Sequence, residues 1–364
     1  MNPLLFSRRH FLKAATLVAA GLPFATTTFA AEPKKKIGFA LCGLGTLSTY
    51  QLAPALQHTE FARLAGIITG TPAKAKRWQA KYNLPDRSVY SYDTMARLAD
   101  NPDIDVVYIV TPNGLHAEHT IAAAKAGKHV LCEKPMEVSA AKCQQMIDAC
   151  KAAGKQLAIG YRLHFEPNNL ECVRLAREKI FGNLKSIEAG FGFQIGNPAQ
   201  WRLQRSLSGG GPMMDVGIYA LQAMRYLSGE EPVSVTANAT TTDKEKFRGI
   251  EESLVWQMKF PGGINASGMT TYAFNGINRF NVTAENGSFG LDPAYSYAGL
   301  RGNRSDGKLI QLPEIDQFAV EMDDFAQCIL ENRPTRVPGE EGLRDLKIIT
   351  AIYEAAHTGK AIYL

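Results

Sequence analysis

A chain of 364 residues with 45% hydrophobic and 21% charged side chains is long enough for two globular domains, and no stretch is poor enough in apolar residues to stay unfolded. Residues 1–30 carry Arg8, Arg9 and Lys13 and no acid. Without them, 37 basic residues face 35 acidic ones, a net charge of +2. So balanced a chain excludes nucleic acid as the expected partner, and its one basic cluster, Lys34-Lys35-Lys36, reads as a solvated lead-in.

The first thirty residues differ from the rest. Ser7-Arg8-Arg9-His10-Phe11-Leu12-Lys13 precedes a mainly apolar run, Ala14 to Phe24, and small residues end at Ala30. This is the pattern of a twin-arginine export signal, cleaved near Ala30 to leave a periplasmic chain with no further membrane contact. The run falls short of the ~20 residues that a membrane span needs. Cys42 and Cys132 lie in apolar runs, and none of the six cysteines has a C-x-x-C or Cys/His spacing suited to zinc. Free thiols and no metal are expected.

From Lys36 the chain alternates apolar strands with helical patterns, which predicts a parallel sheet. Strands are expected at Ile37–Cys42, Leu64–Thr69, Val106–Val110, His129–Cys132 and Gln156–Ile159. Helices are expected over about Thr49–Gln57, Pro72–Tyr82, His116–Ala126 and Ser139–Ala153. Beyond Gly160 the rhythm changes to strand patterns at Ser186–Phe193, Val233–Asn238, Ser253–Phe260, Ile264–Tyr272 and Arg279–Ala284. Helices follow at Asp316–Glu331 and Gly342–His357. The expected organisation is an α/β Rossmann domain over 31–160, followed over 161–364 by an α+β domain with a large, mostly antiparallel open sheet.

Gly43-Leu44-Gly45-Thr46-Leu47-Ser48 follows a strand and precedes a helix, the context that a dinucleotide fingerprint requires. Gly43 permits a tight turn, Gly45 lets a pyrophosphate approach backbone N–H groups, and Ser48 is small enough for helix–strand packing. An acid at the end of the second strand would select NAD. The chain offers Thr69-Gly70-Thr71-Pro72-Ala73-Lys74 instead, so NADP is expected, with Thr69 and Lys74 as candidates for its 2′-phosphate. Thr111, Pro112, Asn113 and His116 follow a strand that ends at the same sheet edge and are candidate cofactor contacts. Glu133 and Lys134 emerge from the next strand end. Adjacent residues seldom face one another, so Lys134 is read as facing a ligand.

Asp215 and Tyr219 are spaced i, i+4 and would share one face of a helix. Oxidising an alcohol removes a proton as hydride leaves. A free phenol with a pKa near ~10 is a poor base for that at neutral pH, and a neighbouring ammonium favours phenolate.

Together these segments resemble the sugar oxidoreductase branch of the glucose-fructose oxidoreductase family. The resemblance rests on Gly43-Leu44-Gly45, Thr111-Pro112-Asn113, Ala126-Gly127-Lys128-His129-Val130, Cys132-Glu133-Lys134-Pro135, Gly160-Tyr161-Arg162, Trp201-Arg202, Gly209-Gly210-Gly211, Asp215-Val216-Gly217-Ile218-Tyr219, Trp256-Gln257-Met258 and Pro338-Gly339-Glu340-Glu341-Gly342. Many members of the wider family carry histidine where this chain has Tyr219. By resemblance Tyr219 is the general acid/base, Lys134 its electrostatic partner and Asp215 a contact to a sugar hydroxyl. Tyr92, Arg162, Trp201 and Arg202 match cofactor-contacting positions, and Tyr297 is a further substrate candidate.

The implied activity is ping-pong hydride transfer through bound NADP, from an aldose, which becomes a lactone, to a second sugar, which becomes an alditol. Export supports this, because a periplasmic enzyme lacks a dependable cofactor pool. Two alternatives stay open, an NADP-linked aldose or dihydrodiol dehydrogenase with dissociable cofactor and a non-catalytic sugar or nucleotide sensor. The family's longer proline-rich arm is reduced here to Ala31–Lys36, so a homodimer through the open sheet face is expected in place of an arm-linked tetramer.

Overall fold

The computed structural model describes residues 36–364, and the expected export signal lies outside the described residues. The first sheet is built from β1 (Ile37–Cys42), β2 (Ala62–Ile68), β3 (Val89–Tyr90), β4 (Val106–Ile109), β5 (His129–Glu133) and β6 (Leu157–Gly160). Its spatial order is β3-β2-β1-β4-β5-β6 with every pairing parallel, the doubly wound arrangement. β1 and β4 are buried along their whole length, as expected of strands covered on both faces. Helices α1 (Ala53–Ala55), α2 (Pro72–Tyr82), α3 (His116–Lys125) and α4 (Ala140–Ala152) make the crossovers.

The helix expected from Thr49 to Gln57 is a π-turn, Ser48–Leu52, leading into α1. Pro54 explains the break, because it has no N–H to donate to the preceding turn. The short strand β3 was not among the expected elements. Two residues carry too little periodicity to signal a strand.

The rest of the chain contributes α5 (Pro167–Arg177), β7 (Leu184–Gly192), α6 (Arg205–Ser208), α7 (Ile218–Ser228), β8 (Ser234–Thr240), β9 (Ser253–Lys259), β10 (Asn265–Thr271), β11 (Ile277–Ala284), β12 (Gly287–Leu291), β13 (Gly302–Arg304), β14 (Leu309–Ile310), α8 (Gln317–Leu330), α9 (Gly339–Thr358) and β15 (Ile362–Tyr363). The strands form a nine-stranded sheet in the order β14-β13-β12-β11-β7-β10-β9-β8-β15. It is antiparallel except at its centre, where β7 and β10 run parallel. Strict alternation fixes its faces. On β9, Leu254, Trp256 and Met258 are buried while Val255, Gln257 and Lys259 are exposed, and on β11 the same holds for Phe280 and Val282 against Arg279 and Asn281. Helix α7 packs on the buried face, and the other face is open.

The last helices return to the first sheet. Asp323 on α8 accepts the backbone N–H groups of Glu60, Phe61 and Ala62 at 2.8, 2.7 and 3.1 Å. Val337, just before α9, accepts the N–H of Ile159 on β6. All six cysteines are buried and unpaired. Among the described residues no helix is long and apolar enough to cross a membrane.

Candidate active site

The glycine turn sits at the carboxyl end of β1, between β2 and β4, where strand order reverses and ligands bind in such sheets. Gly43 has φ +100°, and a Cβ there would lie 2.7 Å from the Val110 carbonyl oxygen, so no larger residue fits. Around Gly45 a Cβ would meet nothing within 4 Å. Backbone approach is therefore free on the side that a pyrophosphate would occupy. Ser48, fully buried, donates its hydroxyl to the Gly43 carbonyl at 2.5 Å and locks the turn to the helix that follows.

A cavity of about 870 Å³ runs from this turn to the face of α7. Of the residues expected at the site, Gly45, Thr46, Leu47, Thr111, Asn113, His116, Glu133, Lys134, Arg162, Trp201, Arg202, Asp215, Tyr219 and Tyr297 line it. Gly43, Leu44, Pro112, Thr69, Lys74 and Tyr92 do not. The first two are buried in the turn. Thr69, Lys74 and Tyr92 lie beyond β2, where the Tyr92 ring packs 3.1 Å from a Cβ placed on Gly70 and stacks on His119. The first turn of α2, which carries Lys74, holds no acid, leaving that helix N-terminus open to an anion.

At the far end the Lys134 ammonium sits 4.7 Å from the centroid of the Tyr219 ring, and the Arg162 guanidinium carbon 5.1 Å from the same centroid. Lys134 Nζ donates to the Asp215 backbone carbonyl at 2.9 Å and lies 4.0 Å from its carboxylate. Lys134 and Glu133 point to different partners, since Glu133 Oε1 meets the Tyr108 hydroxyl at 2.8 Å.

One expectation needs correction, and two site residues are more committed than their places in the sequence convey. Asp215 and Tyr219 do not lie on one regular helix, because Met213–Gly217 is a π-turn and α7 begins only at Ile218. The wider turn alters the angle between them, although both face the cavity. Nor is the Asp215 carboxylate free for a sugar alone. Its Oδ2 accepts from Arg202 Nε and from the Tyr272 hydroxyl, each at 2.9 Å. Burial works to raise the Asp215 carboxyl, but Arg202, Lys134 and the Tyr272 hydroxyl together hold it below the usual carboxylate range. His116 sets both ring nitrogens against backbone carbonyls, Nε2 2.8 Å from that of Thr111 and Nδ1 3.1 and 3.2 Å from those of Pro135 and Met136, and the one N–H of a neutral imidazole donates to one of these sides. It clamps the ends of β4 and β5 together, so only its ring face is left to the cavity. Asn113 likewise donates to the Ser208 carbonyl.

Several participants escaped the sequence reading. Phe191 lines the cavity from β7, Phe193 from just beyond it, Tyr295 from the segment between β12 and β13 and Phe318 from α8, an aromatic wall with a few polar groups. Tyr272 follows the end of β10, and burial with the neighbouring Asp215 carboxylate pushes its phenol upward, so it stays a donor. Glu251 accepts the N–H groups of Gly211 and Met213 at 2.8 and 3.1 Å and the Tyr353 hydroxyl at 2.8 Å. That fixes the turn from which Asp215 hangs. None of these carries a motif, since each is brought in by strand pairing or by a distant helix.

Residues 37–161 match the oxidoreductase family, NAD-binding Rossmann fold, and residues 170–290 match the GFO/IDH/MocA C-terminal domain. The chain belongs to the GFO/IDH/MocA oxidoreductase family. It is 42% identical to aldose-aldose oxidoreductase from Caulobacter crescentus, whose structure was determined with glycerol, with a TM-score of 0.88 over 91% of this chain and 100% of that one. It is 29% identical over 336 residues to D-xylose 1-dehydrogenase [NADP(+)] of Haloarcula marismortui, covering 90% of this chain and 93% of the relative. Levoglucosan dehydrogenase in complex with NADH and levoglucosan, 22% identical with a TM-score of 0.78 over 90% of this chain and 99% of that one, shares the fold. The protein is thus a sugar oxidoreductase of this family, acting on CH–OH groups, with an NAD(P)-binding Rossmann domain.

Proposed function

We propose that the protein is an exported, NADP-dependent sugar oxidoreductase that oxidises an aldose to its lactone and reduces a second sugar to an alditol in ping-pong order. The observation that carries this reading is the Lys134 ammonium placed over the Tyr219 ring in a cavity continuous with the Gly45–Leu47 turn. Gly45, Thr46 and Leu47 would hold a pyrophosphate on their backbone N–H groups, Thr69 and Lys74 a 2′-phosphate, and Asn113, Glu133, Arg162, Trp201 and Arg202 the remaining length. Bound there, the nicotinamide supplies the hydride acceptor and donor.

The chain's own part is proton handling and positioning. Tyr219 takes the hydroxyl proton of the aldose and returns one to the carbonyl of the second sugar, serving both directions from one oxygen. Lys134, fixed by the Asp215 carbonyl, seats positive charge over the phenol ring whose oxygen changes charge. Asp215, held ionised by Arg202 and Lys134, keeps unused acceptor capacity on its Oδ1 for a sugar hydroxyl. Phe191, Phe193 and Tyr297, which line the same cavity, give apolar surface to the C–H side of a sugar.

The aldose-aldose oxidoreductase relative supports the two-sugar reaction, and the NADP(+)-linked xylose dehydrogenase supports the cofactor choice. Export by residues 1–30 and a homodimer formed through the open sheet face complete the proposal. The test is to purify the protein without added cofactor, acid-extract it and incubate it with paired sugars. Stoichiometric NADP with lactone and alditol formed together is expected. Cofactor-free protein that reduces added NADP+ with an aldose alone would establish a simple dehydrogenase, and protein inert to every sugar would leave a sensor. Sedimentation of the mature chain tests the dimer, with Met269→Glu on the open face expected to yield monomer.

A further inference from the structure

Beneath the cavity floor lies a buried group that the proton handling above does not use. Tyr108 on β4 and Glu321 on α8 are all but inaccessible, and Glu133 at the end of β5 is buried with 8% of its surface exposed. The Tyr108 hydroxyl oxygen is 2.8 Å from Glu133 Oε1 and 3.1 Å from Glu321 Oε2. A phenol carries one hydrogen. It donates to one carboxyl and must accept from the other, so one of the two acids keeps its proton.

The second oxygen of Glu321, Oε1, is buried with no hydrogen-bond partner. An ionised carboxylate would leave that charge uncompensated, whereas a neutral acid leaves only a carbonyl. The surroundings divide the acids the same way. Burial raises both. Glu133 has Lys134, Tyr108 and Arg162 to hold it back, while Glu321, with Glu133 adding to its burial, stands well above the carboxylate range despite Tyr108 and Arg162. Gly160 makes the arrangement possible, because a Cβ there would press on Glu133 Oε1 at 3.1 Å and on the Tyr108 hydroxyl at 3.3 Å.

We propose that Glu321, Tyr108 and Glu133 form a buried proton-sharing chain, one proton held between two carboxyls, whose cavity-facing end is Glu133 and whose charge follows what lies in the cavity. In the resting arrangement Glu321 donates to Tyr108 and Tyr108 donates to an ionised Glu133. If both hydrogens move along the chain, Glu133 becomes the acid and Glu321 the carboxylate, with no atom gained or lost. If a proton enters from the cavity, both acids are neutral. The groups facing the chain are Lys134 and Arg162 at the cavity end, Tyr297 across the cavity and Asp324 on α8. A cationic ring beside Glu133 favours the singly protonated chain, and a neutral ring eases uptake of the second proton. This last coupling rests on the nicotinamide reading, whereas the shared proton does not.

Infrared spectra of cofactor-free protein at neutral pH read the shared proton directly. A carboxylic C=O band that shifts in D2O is expected in the wild type, lost in Glu321→Gln and displaced in Tyr108→Phe. No such band, or one unchanged in both variants, would overturn the proposal. Calorimetric titration with NADP+ and with NADPH, each in two buffers of different ionisation enthalpy, reads the coupling. Greater proton uptake with NADPH is expected, and Glu321→Gln should abolish the difference. An undiminished difference would overturn the link to Glu321. If neither dinucleotide binds, the cofactor reading fails and the infrared result still decides the chain. Glutamine matches the shape of a neutral glutamic acid, so Glu321→Gln should melt with the wild type. Should it not fold, Tyr108→Phe carries both readings.

Discussion

Replacing Tyr219 by phenylalanine isolates the hydroxyl from everything else its ring does. The ring lies against the Lys134 ammonium, the Arg162 guanidinium, Phe191 and Tyr295, with centroid distances of 4.7, 5.1, 5.7 and 5.9 Å. Phenylalanine keeps these packing and cation–π contacts. What disappears is the group that exchanges a proton with substrate. General acid–base catalysis contributes about 10²- to 10⁴-fold, which at 1.36 kcal/mol per tenfold is about 3–5 kcal/mol of transition-state stabilisation. The assay is the initial rate of aldose-dependent NADP+ reduction, measured across substrate concentration beside a thermal melt. A fall in kcat of at least about a hundredfold, with KM and melting temperature little changed, is expected. A well-folded variant that keeps a rate within about tenfold of the wild type would refute the assignment of Tyr219 as the proton-exchanging group.

Lys74→Ala should lower the preference for NADP+ over NAD+ by about tenfold, as expected for one partly solvated charge-assisted contact, in paired binding titrations. Arg225 is buried among Asp345, Glu231 and Glu341, with its Nη1 2.6 Å from Asp345 Oδ1. Arg225→Ala strands the fully buried Asp345 and should cost about 3–5 kcal/mol in urea unfolding. Acid should destabilise the fold through two histidines. Burial, despite the Gln222 contact, lowers His164 to about 4, and burial with Lys155 lowers His129 to about 4. Between pH 6.5 and 4 the unfolded chain binds more protons than the folded one, so stability is full above pH 6.5 and lost as pH falls toward 4. His164 accounts for up to about 3 kcal/mol and the more accessible His129 for less. Unfolding midpoints at pH 7 and 4.5 measure the loss, and His164→Gln should flatten it.

Local pattern was enough for much of the fold. β1 and β4 are unbroken apolar runs, and β9 and β11 alternate strictly, so burial on two faces or one is written in their periodicity. The glycine turn was legible too, because Gly43 needs a backbone conformation that other residues resist. The family segments gathered Lys134, Asp215 and Tyr219 before any distance was known. The parallel pairing of β7 with β10 had no such signal, since strand periodicity is the same in either direction. Helix periodicity also could not announce the π-turn that carries Asp215.

The sequence by itself determined which residues have the chemistry to move a proton beside a dinucleotide, because residue type and spacing along a strand or helix are local properties. Only the tertiary structure decided how those groups are committed. It ties Asp215 to Arg202 and Tyr272, holds His116 between two strand ends, and brings Glu321 to Tyr108 across 213 residues. Such contacts depend on how a returning helix and a second sheet close over the first, and on the need to give each buried polar group a partner, which no local pattern encodes.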